Sequence, residues 1–182
     1  MKNALIILAA LAPVTAFAHP GHESSGFAAG FFHPWLGWDH LLAMVAVGML
    51  AMAGKRALAW RLPLAFVAAM VAGAGLGVAG IGLPGVEPMI LASLVVLGAG
   101  LALRVPLQSL APVICALFGL FHGNAHGLEA PVEGAVATFM AGFVLATAML
   151  HGCGMLVARH QHEAGLRVFG LVVAGAGLLA AI

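Results

Sequence analysis

Six long apolar stretches, at approximately 36–53, 62–83, 87–103, 107–123, 133–156 and 165–182, leave this chain few ways to fold. Each is close to the roughly 17–25 residues a helix needs to cross the hydrocarbon of a bilayer. The links between them are short. Charged residues make up 7% of the chain, against about 25% in soluble domains, and the mean hydropathy is +1.13. The fold class expected is therefore an all-α membrane protein. With 182 residues, the chain has room for one six-helix transmembrane domain and no separate soluble domain.

Residues 1–18 read as a cleavable signal peptide. Lys2 supplies a positive start, Ala4 to Val14 form an apolar core of 11 residues, and Ala16-Phe17-Ala18 is a small-x-small cleavage site. An uncleaved anchor helix is the alternative, but the core is short against the roughly 20 residues a span requires. Cleavage leaves the single domain at 19–182 and puts the new N-terminus, His19, outside the cytoplasm. The basic residues give the same topology. Lys55, Arg56 and Arg61 flank the first link, Arg104 the third, and Arg159 and Arg167 the fifth, whereas the second link holds Glu87 and the fourth Glu129 and Glu133, with no Lys or Arg. Cytoplasmic links hold the Lys and Arg, so an even number of spans returns the C-terminus to the side of the N-terminus.

Scattered cations form no basic stripe, so no nucleic-acid partner is expected. Gly75-Leu-Gly77-Val-Ala-Gly80 spells a dinucleotide fingerprint but lies inside an apolar span, and the segment from Gly48 to Arg56 lacks the spacing and the Ser or Thr of a phosphate loop. No ATP and no permanently bound cofactor are expected. Gly73 and Gly77 instead have the spacing of a small-xxx-small packing face.

Ionisable side chains are costly in lipid and need a reason to be there. Two clusters stand at the ends of apolar stretches: His33-Pro34-Trp35-Leu36-Gly37-Trp38-Asp39-His40, and His122-Gly123-Asn124-Ala125-His126 with Glu129 and Glu133 behind it. Pro34 suits a first helical turn. A helix starting near His33 would place His33, His40 and Met44 within about 40° on one face. Asp39 falls off that stripe. It reaches a metal through an unwound turn at Gly37 or, with less distortion, accepts a hydrogen bond that orients an imidazole. His122 and His126, four residues apart, share a face, and Gly123 and Gly127 are candidates to break that helix. The topology puts both clusters at the exterior face, where four imidazoles and up to three carboxylates can converge. Imidazole with oxygen donors suits a borderline divalent ion such as nickel, cobalt, zinc or copper.

Weaker candidates surround this core. His151, near the inner end of the fifth stretch, reads as an inner relay or as a satisfied core histidine. His160 and His162 lie in a cytoplasmic link. His19 and His22, at the mature start, are candidates to recruit metal through the free amine and imidazoles. Cys115 and Cys153 read as reduced membrane thiols.

Together, His33-Pro34-x-x-Gly37-x-Asp39-His40-x-x-x-Met44 and Phe121-His122-Gly123-Asn124-Ala125-His126-Gly127 resemble the HupE/UreJ family of bacterial nickel or cobalt permeases, over essentially the whole chain. The resemblance implies a secondary importer of Ni²⁺ or Co²⁺ in the inner membrane, linked to hydrogenase or urease maturation, with both mature termini periplasmic. It implies roles in transport for His33, Asp39, His40, His122 and His126. It leaves the metal and homo-oligomerisation open, and it says little about Glu129, Glu133 or His151. Two other classes compete with a transporter that is not an enzyme. One is a membrane-embedded zinc hydrolase in which Glu129 or Asp39 activates water. The other is a metal-binding accessory subunit that moves no ion.

Overall fold

The computed structural model describes residues 26–53, 58–104, 110–130 and 135–182. The expected signal peptide at 1–18, with His19 and His22, lies outside these residues, as do Lys55, Arg56 and Glu133. The described residues form seven helices and no strand: α1 Phe27–Leu36, α2 Trp38–Met52, α3 Arg61–Val78, α4 Val86–Leu103, α5 Ala111–Leu128, α6 Val136–His160 and α7 Glu163–Ala180. Four of them, α3, α4, α6 and α7, are each long and apolar enough to cross a membrane, and α1 with α2 qualify together as one bent pair. Helix α5 matches α3 in length but carries His122, Asn124 and His126, and it is not among the helices apolar enough to be counted.

The first apolar stretch departs from the regular helix expected of it. Gly37 adopts an extended conformation (φ −86°, ψ 109°), and α1 and α2 meet at 84°. Pro34 sits inside α1 rather than in a first turn. Having no N–H, it cannot donate to the preceding turn, and α1 ends two residues later. The Gly37 carbonyl then accepts from Leu41 N at 2.9 Å and starts α2. A second departure concerns α5. Gly123 and Gly127 do not break it, and the helix continues to Leu128, beyond the expected limit at 123.

Those two glycines set how close the helices lie. A methyl group at Gly123 would overlap the Met70 carbonyl, one at Gly127 that of Ala74, and one at Gly73 that of Leu120. Small residues let backbones touch in a solvent that supplies no hydrophobic force between helices. The expected Gly73 and Gly77 face is therefore real, and its partner is α5. The register 66 to 119, 70 to 123 and 74 to 127 makes α3 and α5 parallel. In α4 and α7, Gly98 meets Gly170 and Ala174 while Gly177 meets Leu91 and Leu94, so this pair is antiparallel. An Arg104–Glu163 ion pair closes one end of it.

The bundle is polar inside and apolar outside. Leu64, Val71, Val113, Leu171 and Leu179 are exposed, while Ser93, His122, Asn124, His126, Thr147 and His151 are fully buried beside Met44, Phe66, Met70 and Phe143. Such an inversion belongs to a bundle whose surroundings are hydrocarbon.

Candidate metal centre

The helix break at Gly37 turns the first cluster into a clamp. It leaves His33 on α1 and His40 on α2, so the shared face expected for His33, His40 and Met44 does not exist. Both imidazoles nevertheless reach the end of α5. The His33 ring centroid lies 4.7 Å from that of His126, and the His40 centroid lies 4.3 Å from His126 and 4.7 Å from His122. Four imidazoles from distant parts of the chain thus converge, as expected. Met44 is buried in the hydrophobic core among apolar neighbours.

Asp39 takes the orienting geometry. Its Oδ1 accepts from the His40 backbone N–H at 2.8 Å and lies 2.7 Å from His40 Nδ1. A carboxylate can only accept, so Nδ1 carries the ring proton and Nε2 keeps its lone pair. The unwound Gly37 and the orienting contact, posed as alternatives for Asp39, occur together.

Glu129, just past the end of α5, joins the mouth of the cluster. Its Oε2 lies 3.2 Å from His33 Nε2 and 3.4 Å from His126 Nδ1. Ligand atoms of His33, His126 and Glu129 all fall within 4.8 Å of one another. A carboxylate at a helix C-terminus is opposed by the helix dipole. The imidazoles of His126 and then His33 outweigh this and hold the Glu129 carboxyl well below the usual carboxylate range.

Below the mouth the site is walled by phenyl rings. Phe143 packs 4.2 Å from His126, and Phe139 lies 5.9 Å from His33. Further in, Phe66 is 5.4 Å from the His122 ring and 5.2 Å from the His151 ring, so one phenyl group packs against both. His151 is fully buried with neither nitrogen hydrogen-bonded. It sits past the middle of α6 rather than near its inner end. His160 and His162 are exposed at the opposite end of the bundle. Cys115 and Cys153 are both free, as expected.

Side chains that the sequence did not single out complete the frame. Asn124, between the two histidines of α5 but on the face toward α3, donates to the Ile81 carbonyl at 2.8 Å and accepts from Leu83 N at 2.8 Å, pinning the 81–83 loop to α5. Ser93 Oγ lies 3.1 Å from His122 Nε2. Phe66, Phe139 and Phe143 form the walls. Nothing in the spacing of these aromatics distinguishes them from ordinary core; Ser93, a lone hydroxyl in an apolar span, is the one that offered a signal.

The chemistry follows from what is left unpaired. His40 Nε2, His122 Nδ1, His126 Nε2 and both nitrogens of His151 are buried without a hydrogen-bond partner, and His126 Nδ1 has only the long 3.4 Å contact to Glu129. Buried polar atoms are nearly always paired, and each exception is costly. Imidazole nitrogens with lone pairs free, gathered among apolar walls, have the chemistry to ligate a borderline divalent cation.

Comparison with known proteins covers the whole of this architecture. A sequence model of the family described as HupE / UreJ protein matches residues 6–180. The chain is 40% identical over 175 residues to Protein HupE of Rhizobium leguminosarum bv. viciae, covering 95% of this chain and 92% of that protein. No solved structure matches it.

Proposed function

The chain belongs to the HupE/UreJ family, and from that membership and its imidazole cluster we propose that it is a permease for Ni²⁺ or Co²⁺ in the bacterial inner membrane. The observation that carries this reading is the row of unpaired, buried imidazole nitrogens leading away from a half-exposed carboxylate mouth. A resident structural ion needs one closed site; a row of sites suits an ion in passage. His33, His126 and Glu129 take up M²⁺ at the mouth. His126, whose Nε2 is uncommitted, passes it to His40 and His122, and His151 receives it on the other side of the cluster.

In this reading the bent α1–α2 pair and α5 complete six spans, the signal peptide is removed, and both mature termini are periplasmic. The end of the bundle that carries Arg104 and Glu163 then faces the cytoplasm. Two charges moving inward gain roughly 4.6 kcal/mol per 100 mV of membrane potential, which is enough to drive import without ATP. Supply of the metal to hydrogenase or urease maturation fits the resemblance. Families of transport and accessory membrane proteins are not hydrolases, so the zinc-enzyme alternative is set aside.

Proteoliposomes loaded with the purified chain and offered Ni²⁺ and Co²⁺ in competition test the proposal. Uptake should depend on an inside-negative potential and fall at least about 100-fold in His40→Ala and His126→Ala, each of which removes a ligand rather than the group behind it. Stoichiometric binding without flux would make the protein an accessory subunit. Unchanged uptake in both variants would remove the site.

A further inference from the structure

We infer that Ser93 fixes the tautomer of His122, committing Nε2–H to the serine oxygen and leaving Nδ1 as the nitrogen that offers its lone pair to the metal. The inference rests on the metal-carrier reading above. Ser93 lies in the third turn of α4, fully buried, and its hydroxyl has a single proton. That proton goes to the Ile90 carbonyl at 2.6 Å, a group that can only accept. At its second contact, 3.1 Å to His122 Nε2, the serine oxygen must then accept, so Nε2 must be the protonated nitrogen.

The opposite tautomer fails on both sides of the ring. It would set two lone pairs against each other at the serine, unless the hydroxyl gave up Ile90. It would also bury an N–H at Nδ1, where no acceptor stands. An unpaired buried donor is costly, whereas an unpaired lone pair is what a cation needs.

His40 and His122 are therefore anchored by mirror-image devices. Asp39 holds Nδ1–H of His40 and frees Nε2; Ser93 holds Nε2–H of His122 and frees Nδ1. The two rings lie 4.7 Å apart, and the nitrogen left over on each is buried and unpartnered. One anchor is a carboxylate at the entrance, and the other is a neutral hydroxyl deep in the bundle. A neutral anchor orients the ring without adding a negative charge that would hold the cation there. Ser93 is in this sense a positioning residue for release as well as for capture.

The test uses the full chain in nanodiscs, with histidine rings labelled with ¹⁵N and Co²⁺ as the probe. Without metal, the His122 signal, assigned by its loss in His122→Asn, should show a protonated Nε2 and a bare Nδ1. Ser93→Ala should mix the tautomers and weaken Co²⁺ binding roughly tenfold, and Ser93→Thr, which keeps the hydroxyl, should restore both. A bare Nε2 in the wild-type protein, or an unaltered tautomer in Ser93→Ala, overturns the inference. The wild-type spectrum alone exposes it to refutation if a variant does not fold. Absence of Co²⁺ binding to the wild-type chain would overturn the permease reading, with the tautomer still judged by the spectrum.

Discussion

Glycine against backbone carbonyl joins α3 to α5 and α4 to α7 alike, yet the two pairs hold different things. The α4–α7 seam encloses Leu94, Leu97, Leu101 and Val173, and its charges stay at the surface in the Arg104–Glu163 pair. The α3–α5 seam, equally close, carries His122, Asn124 and His126 on the same helix as its glycines. Packing in lipid is thus achieved without polar groups, and those of α5 need a separate explanation. Asn124 has one, since all its hydrogen bonds go to α3 and to the loop after it. The histidines have little without an ion: Ser93 behind His122, and a 3.4 Å contact from His126 to Glu129.

The contrast can be broken most sharply by adding one methyl group to each pair. Gly123→Ala drives a methyl into the Met70 carbonyl, whereas the same change at Gly175 on α7 meets nothing within 4 Å. The first should destabilise the bundle by about 1–3 kcal/mol and displace His122 and His126. The second should stay within about 0.5 kcal/mol. Thermal unfolding in detergent, read beside Co²⁺ binding, checks both. Equal effects would mean that the two seams are equivalent.

A smaller effect is expected where the charge of the anchor is removed but its shape is kept. Asp39→Asn should lower Co²⁺ affinity roughly tenfold, the low end for groups that orient a ligating imidazole, with little change in melting temperature. Titration calorimetry gives the affinity. A loss as large as that of His40→Ala would make Asp39 a direct ligand.

The smallest effect concerns pH. Because the folded protein holds the Glu129 carboxyl below its ordinary range, the stability that the carboxylate adds is present above about pH 4.3 and is lost only as pH falls through the lower folded value. Wild-type protein should therefore keep its melting-temperature advantage over Glu129→Gln from pH 8 down to pH 5. Any acid loss of metal binding within that window is then not the work of the Glu129 carboxylate. An advantage that has already vanished at pH 5 would show that His126 and His33 do not hold the carboxylate as described.

Much of the site was legible because its residues are local in sequence. His122 and His126 share a face at any regular helical pitch, and Asp39 adjoins the ring it orients. His33 and His40 were paired for the wrong reason: the regular helix that placed them together is broken at Gly37, and they meet through His126 instead. Gly123 and Gly127, read as breakers, are contact points, because a glycine's effect in lipid depends on whether another backbone lies against it. Ser93, 29 residues before His122, and Phe66, 85 residues before His151, carry no periodic signal that ties them to those rings.

The sequence by itself determined the solvent of this protein, its helices and the ligand chemistry available to it, because hydropathy, charge and side-chain type are properties of residues one at a time or of near neighbours. Only the tertiary structure decided which ring nitrogens are left without a partner, which phenyl groups enclose the cluster, and where the first apolar stretch bends. Those depend on atoms brought together from separate helices, at distances that no spacing along the chain encodes.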